Sequence, residues 1–568
     1  MNYIGPVEFS YPNDTSRAEL EGDGFHVSGD HAYCRCPAAV DCVLLHPSCY
    51  GVFLRSSAID KFEATKRLWV IATWKHPWKL SPPLYLPRKN LDRDALQVVA
   101  ARCGISQLAA LPSEIVQIIR ANSEPYDCDQ CSFWNVVAAV SLANQVSVKE
   151  DSEPLQTVRL SRILSWERGG KLQRIGIESR SQYKAVRVTI DGDGISRVEA
   201  LPEVPLYSGE CYDTLSFAVL SIEAAESVVA HAMHGRLRLQ FADPSNHPTV
   251  WNTPAPPDLL QCKPFAPWSL PSPVAFAIEL NKIAGMSFFF DHDRVVDVHP
   301  HYNSHSGAAP AFHRACNLFS HANPVWTYLP IAKRDKVLFM GFRNFEFIND
   351  RAFQILVRTQ LVGDIVLGVF ENPSLNLTTS HIGTIMPETL VCCRSRDWPR
   401  WNFGTYHNAP ERNEASNLFP DAEDLTGELA RPFLRHCPED VILRNWAHFY
   451  SEAPLKNVSS AVVFYHRHSG FCRGIILHYD NGGSRGLGEC RVDLDPVKTF
   501  TRPLRLWILE DTVITRGIHA YRRVEVEFTR DAEDSQKGKI WRSYPMEGVL
   551  RFWYSTGESA CRVHVERS

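Results

Sequence analysis

Between residues 94 and 146 the apolar residues recur at the spacing of amphipathic helices. Gly104 and the surroundings of Pro125 separate three such segments. In the second segment, Pro112 suits a first helical turn, and in the third, Ser132 suits an N-cap. The apolar positions are Leu111, Ile115, Ile118 and Ile119, then Phe133, Val136, Val137 and Val140. This pattern predicts a short helical segment at 94–150.

After about residue 155 the period changes to two, in short runs divided by Gly, Asn, Asp and Pro. The run from Tyr183 to Ile190 alternates and is followed by Asp191-Gly192-Asp193-Gly194. Alternation of this kind with a Gly-containing turn predicts a β-hairpin. The rest of the chain is therefore predicted to be mostly antiparallel β.

Two segments of the β-rich part resemble each other. Gly285 to Asp291 and Gly474 to Asp480 share the pattern Gly, apolar, any, apolar, any, aromatic, Asp, and Gly363 to Phe370 is a looser third copy. Repeated strand-and-turn units bury their faces by stacking on one another. We therefore expect a propeller-like or prism-like array, or two sandwiches.

These patterns give an α+β fold that is mostly β. A small mixed module comes first, then a short helical segment, then a large antiparallel β region. The predicted boundaries are 1–93 for the Cys- and Trp-rich module, 94–150 for the helices, 155–394 for the first β region, 395–460 for an irregular insertion with short helical stretches, and 461–568 for a second β region that packs with the first.

Composition narrows the class of protein. The 568 residues carry a formal charge of −4, and basic residues form no continuous stripe, so no nucleic-acid partner is expected. The N-terminus lacks the basic and apolar parts of a secretory signal, and no apolar run approaches 18 residues. We expect a soluble protein of the cytoplasm or nucleus, without a membrane partner, whose 16 Cys are free thiols.

The segment from Leu108 to Val146 resembles an F-box, because Leu111-Pro112-Ser113-Glu114-Ile115 matches the Leu-Pro-x-Glu-apolar opening of that family. The resemblance covers about 40 residues and implies docking to a Skp-type adaptor. It departs from the family where a Val-Cys-basic-x-Trp signature is normal, since a loop with Cys128 and Cys131 stands there. An ordinary helical hairpin is the alternative. The expected adaptor-binding residues are Leu108, Leu111, Pro112, Ile115, Ile118 and Ile119.

Several stretches also look like a family of large, mostly uncharacterised proteins of filamentous fungi, some of which carry F-box labels. This resemblance spans most of the chain but implies no activity and no catalytic residues. It rests on Arg67-Leu68-Trp69-Val70 with Trp74 and Trp78, on Arg102-Cys103-Gly104-Ile105, and on the run from Asp480 to Arg491.

Two groups of residues could bind a metal. A split zinc site would combine the Cys- and His-containing cluster at 34–49 with the single C-x-x-C motif of Cys128 and Cys131. Two C-x-x-C motifs are the usual requirement for such a site. A His-rich loop lacks a suitably placed acidic ligand. Buried thiols and a simple loop are the favoured interpretations, so we expect no metal and no cofactor. The residues concerned are Cys34, Cys36, Cys42, His46 and Cys49, and His292, His299, His301, His305 and His313.

A nucleophilic serine is also disfavoured. Gly482-Gly483-Ser484-Arg485-Gly486 matches the G-x-S-x-G pattern of hydrolases, but an alternating run follows it, which favours a hairpin turn at Asn481-Gly482. We therefore expect no enzyme activity. An enzyme whose catalytic residues are distant in sequence and meet only in the fold is the least favoured alternative.

The sequence is best explained as that of a protein-interaction protein. An F-box-type receptor would link an unknown target to a Skp and cullin ubiquitin ligase complex. The alternative is a lectin-like or small-ligand-binding β protein, in which exposed rings among the 14 Trp stack on sugars and the helical hairpin is purely structural.

Overall fold

The computed structural model divides the chain into two compact units, Met1–Pro256 (unit 1) and Pro257–Ser568 (unit 2). It describes residues 7–10, 25–27, 42–45, 47–78, 81–82, 84, 86, 92–123, 133–147, 155–176, 181–243, 247–265, 272–291, 294–302, 307–318, 324–346, 351–370, 378–394, 401–406, 448–467, 469–515, 519–529, 541–555 and 562–566.

Unit 1 contains seven described α-helices, the longest of which contributes to two apolar cores. They are α1 (Pro47–Ser56), α2 (Lys61–Thr73), α3 (Arg93–Arg102), α4 (Gln107–Ala110), α5 (Ser113–Ser123), α6 (Phe133–Ser147) and α7 (Ile222–Glu226). One side of α6 buries Ala139, Ala143 and Val146 against α1 and α2. Its other side buries Trp134 and Val137 against α3 and α5. The predicted helices of 94–150 are confirmed, and they share a core with α1 and α2, which lie in the predicted N-terminal module.

The strands of unit 1 form antiparallel sheets. They are β1 (Val7–Ser10), β2 (Phe25–Val27), β3 (Cys42–Leu45), β4 (Gln156–Arg159), β5 (Ile163–Glu167), β6 (Gln173–Arg174), β7 (Ala185–Asp191), β8 (Gly194–Leu201), β9 (Ser216–Ser221), β10 (Val229–Met233), β11 (Arg236–Gln240) and β12 (Val250–Trp251). Their orders are β2-β1-β3, β11-β10-β4 and β12-β9-β7-β8-β5-β6. The β7–β8 hairpin confirms the turn predicted at Asp191 to Gly194.

Trp78 anchors the apolar core of these sheets. The residue is 1% exposed, and its ring lies edge-on to Phe241 at 5.5 Å between centroids. Backbone pairing holds the segment in place, because the Leu239 N–H donates to the carbonyl of Pro77 at 2.8 Å. The Trp-rich stretch is therefore part of the core of unit 1.

Unit 2 is also built of antiparallel sheets, with one described α-helix, α8 (Ala309–Leu318). Its strands are β13 (Lys263–Pro264), β14 (Val274–Glu279), β15 (Ile283–Asp291), β16 (Arg294–Tyr302), β17 (Val325–Pro330), β18 (Val337–Glu346), β19 (Arg351–Thr359), β20 (Gly363–Phe370), β21 (Thr378–Ile385), β22 (Thr389–Arg394), β23 (Trp401–Tyr406), β24 (His448–Pro454), β25 (Val458–Tyr465), β26 (Cys472–Tyr479), β27 (Ser484–Gly488), β28 (Val497–Thr501), β29 (Arg505–Thr515), β30 (His519–Thr529), β31 (Arg542–Pro545), β32 (Val549–Ser555) and β33 (Arg562–Glu566).

The strand orders in unit 2 are β13-β23-β22-β14, β16-β15-β17, β21-β18-β19-β20-β24-β32-β33, β27-β26-β25-β28 and β30-β29-β31. In the part of the chain that the structure describes, none of these sheets closes into a barrel. The mostly β, antiparallel character predicted from the sequence is confirmed.

The two similar segments occupy equivalent positions. Gly285 lies in β15 and Gly474 in β26, and each of these strands is flanked by a neighbour on both sides. The pairing shifts register beside each glycine. A Cβ would come within 2.7 Å of the Leu329 carbonyl at Gly285 and within 2.5 Å of the Glu489 carbonyl at Gly474. The shared glycine therefore marks a close approach of two backbones.

The division between the units falls at 256/257, inside the predicted 155–394 region. Strands β23 and β24 lie within the predicted insertion at 395–460, and each pairs in a sheet. Its predicted helical stretch, Glu423 to Leu434, lies outside the described residues. None of the helices in the described ranges is long and apolar enough to cross a membrane.

Candidate partner-binding surface

The start of α5 is fixed by local hydrogen bonds. The Val116 N–H donates to the Pro112 carbonyl at 3.1 Å, so the first helical turn opens at the proline as predicted. The Arg93 guanidinium on α3 donates to Ser113 Oγ at 2.8 Å and to the Ala109 carbonyl at 3.2 Å. These bonds hold the Leu-Pro-x-Glu motif against α3.

Part of the predicted adaptor-binding face points inward. Leu108, Leu111 and Ile119 are partly buried and pack against a core that includes Leu96, Val116 and residues of α6. The cause is the apolar core that α5 shares with α3 and α6. A partner can therefore reach fewer side chains than the six that the sequence predicts for adaptor binding.

The rest of that face lies at the surface. Pro112 is exposed and Ile115 is 43% exposed, whereas the side chain of Ile118 lies outside the described residues. The same helical segment also exposes Val98 and Ile105. Among the described residues, three of the eleven exposed large apolar side chains thus fall within 18 residues of one another along the chain. Since exposed apolar patches mark protein-binding surfaces, these three side chains are the candidate partner contacts of this segment.

The described tryptophans do not form the exposed platform that a lectin needs. Trp74, Trp78 and Trp553 are buried, and Trp69 and Trp541 are partly buried. Within the described ranges, every other tryptophan side chain is also at least partly buried. Their rings fill cores, so this part of the chain provides no observation that favours sugar stacking.

The His-rich segment contains a buried hydrogen-bond chain. Trp326 Nε1–H donates to Ser287 Oγ at 2.7 Å, and Ser287 Oγ lies 2.8 Å from His301 Nε2. Since the serine oxygen accepts from the tryptophan, its hydroxyl can donate to a neutral imidazole. Burial, and secondarily the neighbouring His299, lowers the pKa of His301 to about 3. This imidazole is thus a structural acceptor.

His301 should make unit 2 sensitive to acid. The folded chain keeps this imidazole neutral, whereas the unfolded chain takes up a proton below about pH 6.5. The contribution of His301 to the free energy of unfolding is therefore complete above pH 6.5. It falls by about 1.4 kcal/mol per pH unit towards pH 3. At pH 4.5 we expect the free energy of unfolding of the wild type to fall by about 2 to 3 kcal/mol more than that of His301→Gln, which keeps an acceptor but does not titrate. Urea unfolding of both proteins at pH 7.5 and 4.5 measures this, and equal pH dependence would refute it.

The two groups of residues that were weighed as metal sites lie mostly outside the described residues. Of the Cys clusters, only the side chain of Cys49 is described, and His292 and His305 are likewise outside. Among the described residues, no group of three or more His, Cys, Asp or Glu side chains could hold a metal. The nine cysteines whose side chains are described are free thiols.

The G-x-S-x-G match is a hairpin turn, as predicted. Strands β26 and β27 pair antiparallel, and the Gly482 N–H closes the turn on the Tyr479 carbonyl at 2.9 Å. Asn481 Nδ2 donates to the Leu361 carbonyl at 2.7 Å. Ser484 Oγ lies 2.8 Å from Nδ1 of His478, its cross-strand partner. The strand-to-helix elbow of the hydrolases is not formed here.

A small cavity in unit 2 lies beside Arg485. Its volume is about 60 Å³, well below the roughly 300 Å³ at which ligand pockets usually begin. The Arg485 guanidinium donates to the backbone carbonyls of Glu452, Val362 and Asp364. These bonds clamp the ends of neighbouring strands together. The Arg485 guanidinium therefore stabilises the packing of these strands and has a structural role.

One buried charged cluster was not predicted from the sequence. Glu489 accepts from the Trp326 backbone N–H at 3.0 Å, from Arg473 at 2.9 Å and from Arg491 at 3.2 Å. Arg473 Nε also lies 3.0 Å from Asp495. Burial alone raises the pKa of Glu489, but the two arginines and the N–H together hold it below its usual value. This cluster joins β17 to the β26–β27 hairpin. Sequence patterns could not predict it, because Trp326 is far from the other members along the chain.

Comparison with known proteins gives no further identification of these surfaces. We found no match to the chain among protein-family models or among curated proteins.

Proposed function

We propose that this chain is a protein-interaction protein of the F-box type, which links a target to a Skp and cullin ubiquitin ligase complex. The observation that supports this proposal is the position of Pro112 and Ile115. Both are exposed at the start of α5, while Leu111 and Val116 beside them pack into the core shared with α3 and α6. An apolar helical face on a rigid support suits docking to another helical protein.

In this proposal the chain has no catalytic role and acts in the cytoplasm or nucleus. The helical segment binds the Skp-type adaptor, and the β-rich remainder recognises the target. Equivalent positions of Gly285 and Gly474 support an arrangement of repeated, propeller-like or prism-like units for that remainder. The resemblance to the filamentous-fungal family fits the same role.

Ile115→Asp should weaken adaptor binding strongly. A charge placed at the centre of an apolar contact costs more than about 1.4 kcal/mol, so we expect the affinity for a purified fungal Skp-type adaptor to fall at least tenfold. Phe62→Asp is the matched control, because Phe62 on α2 is 67% exposed and lies outside the motif. Calorimetric titration with the full chain measures both. Unchanged affinity in Ile115→Asp would contradict the assigned surface.

A further inference from the structure

Strand β28 is a highly exposed edge of unit 2. It ends the sheet β27-β26-β25-β28 in the described part of the chain and pairs there with β25 alone. Val497 is 53% exposed, and Lys498 and Thr499 are exposed as well. An edge strand in this state presents unpaired backbone groups to any extended segment that approaches it.

The register shows which backbone groups point outward. The Arg502 N–H donates to the Ser459 carbonyl at 2.7 Å, and the Tyr465 N–H donates to the Pro496 carbonyl at 2.9 Å. Even-numbered residues of β28 therefore bond to β25, because hydrogen-bonded pairs alternate along an antiparallel ladder. Val497 and Thr499 direct their N–H and C=O groups away from the sheet.

Among the described residues, β28 carries no lysine that projects freely from its outer edge. Proteins often place a lysine on an edge strand to repel a second strand. Lys498 could have this role, but its ammonium lies 2.7 Å from Glu527 of β30 and over the ring of Phe500. Its charge is thus held on the β30 side of the strand.

Charge and apolar surface at the end of β28 indicate what would bind. Arg502 is exposed, and its side chain forms no ion pair with any described residue. Leu504 beside it is 64% exposed. A shallow depression at this end is lined by Ser459, Ser460, Thr501, Arg502 and Leu504. A carboxylate and an apolar side chain would both find partners there.

We propose that β28 binds an extended peptide by strand addition. The peptide runs antiparallel to β28, with an acidic residue at its N-terminal end that pairs with Arg502 and an apolar residue that covers Leu504. A five-residue edge is too short for the roughly 1,600 Å² of a stable protein dimer, so a peptide fits it better than a second copy of the chain. This surface is independent of α5 and does not rest on adaptor binding.

Selection of peptides from a random decapeptide phage library against the full chain tests the proposal. We expect selected peptides to be rich in β-branched residues with Asp or Glu towards the N-terminus. Synthetic copies should bind at least tenfold more weakly to Thr499→Pro, which removes an outward N–H that the sheet does not use. Thr499→Val keeps that N–H and should bind like the wild type. Arg502→Glu, which leaves the backbone unchanged, should also lose at least tenfold.

Two results would overturn the proposal. The first is a selection that returns no peptide sensitive to both Thr499→Pro and Arg502→Glu, with both variants shown to be folded by circular dichroism. The second is a wild-type dimer in solution that Thr499→Pro converts to a monomer, because the edge would then pair with a second copy.

Discussion

Replacing Trp78 with alanine will lower the free energy of unfolding of unit 1 by about 3 to 5 kcal/mol. The indole is 1% exposed and packs against Phe241 and His247. Its removal leaves a cavity between segments whose backbones pair at Pro77 and Leu239, so neighbouring side chains cannot fully close it. Urea unfolding of the full chain, followed by hydrogen exchange of β11, measures the change.

Phe62→Ala is the control for this prediction. That ring is 67% exposed, and exposed substitutions usually change stability by about 0.5 kcal/mol or less. Equal effects of the two substitutions would show that Trp78 does not anchor the core. The Trp-rich segment would then be open to the sugar-binding interpretation.

Glu489→Gln will destabilise unit 2 by about 3 to 5 kcal/mol, because it removes the negative charge that balances two buried arginines. Arg473 and Arg491 would keep their charges in a site shielded from water, and Trp326 would lose a charged acceptor for its N–H. Asp495 balances Arg473 in part, but Arg491 would be left over the ring of Phe312 without its carboxylate.

The same substitution in an exposed pair is the matched control. Glu527 pairs with Lys498 at 2.7 Å, and the lysine side chain is 55% exposed. Pairs of this kind contribute about 1 kcal/mol or less. Thermal unfolding should therefore separate Glu489→Gln from Glu527→Gln by several degrees. A shift in Glu489→Gln no larger than that of the control would mean that the cluster does not stabilise the sheet.

The sequence predicts secondary structure best where one periodicity dominates. Helices α5 and α6 follow from apolar residues three and four apart, and the β7–β8 hairpin follows from alternation before a Gly-containing turn. Helices α1 and α2 were not predicted because aromatic and β-branched residues dilute their helical pattern. A signal was present, since Asp60 caps α2 by accepting from the N–H groups of Phe62 and Glu63.

The candidate site was only partly predictable. The motif locates α5, but its spacing does not show that Leu111 points towards α6 and Ile115 towards solvent, because both residues are apolar. Only the packing of the helices in the folded chain decides which of the two side chains is buried. The position of β28 at the edge of its sheet in the described part of the chain was unpredictable for a similar reason. Alternation along the sequence predicts a strand, but only the order of strands in the folded sheet decides which strand has a single neighbour.

Removal of 108–146 would not test adaptor binding cleanly, because α6 contributes to both helical cores of unit 1. The most direct measurement is affinity purification of the tagged full chain from cells of a filamentous fungus, in parallel with Ile115→Asp and Phe62→Asp. The proposal predicts that the Skp-type adaptor and cullin are recovered with the wild type and with Phe62→Asp but not with Ile115→Asp. Absence of both proteins from the wild-type sample, or their equal recovery with Ile115→Asp, would contradict it.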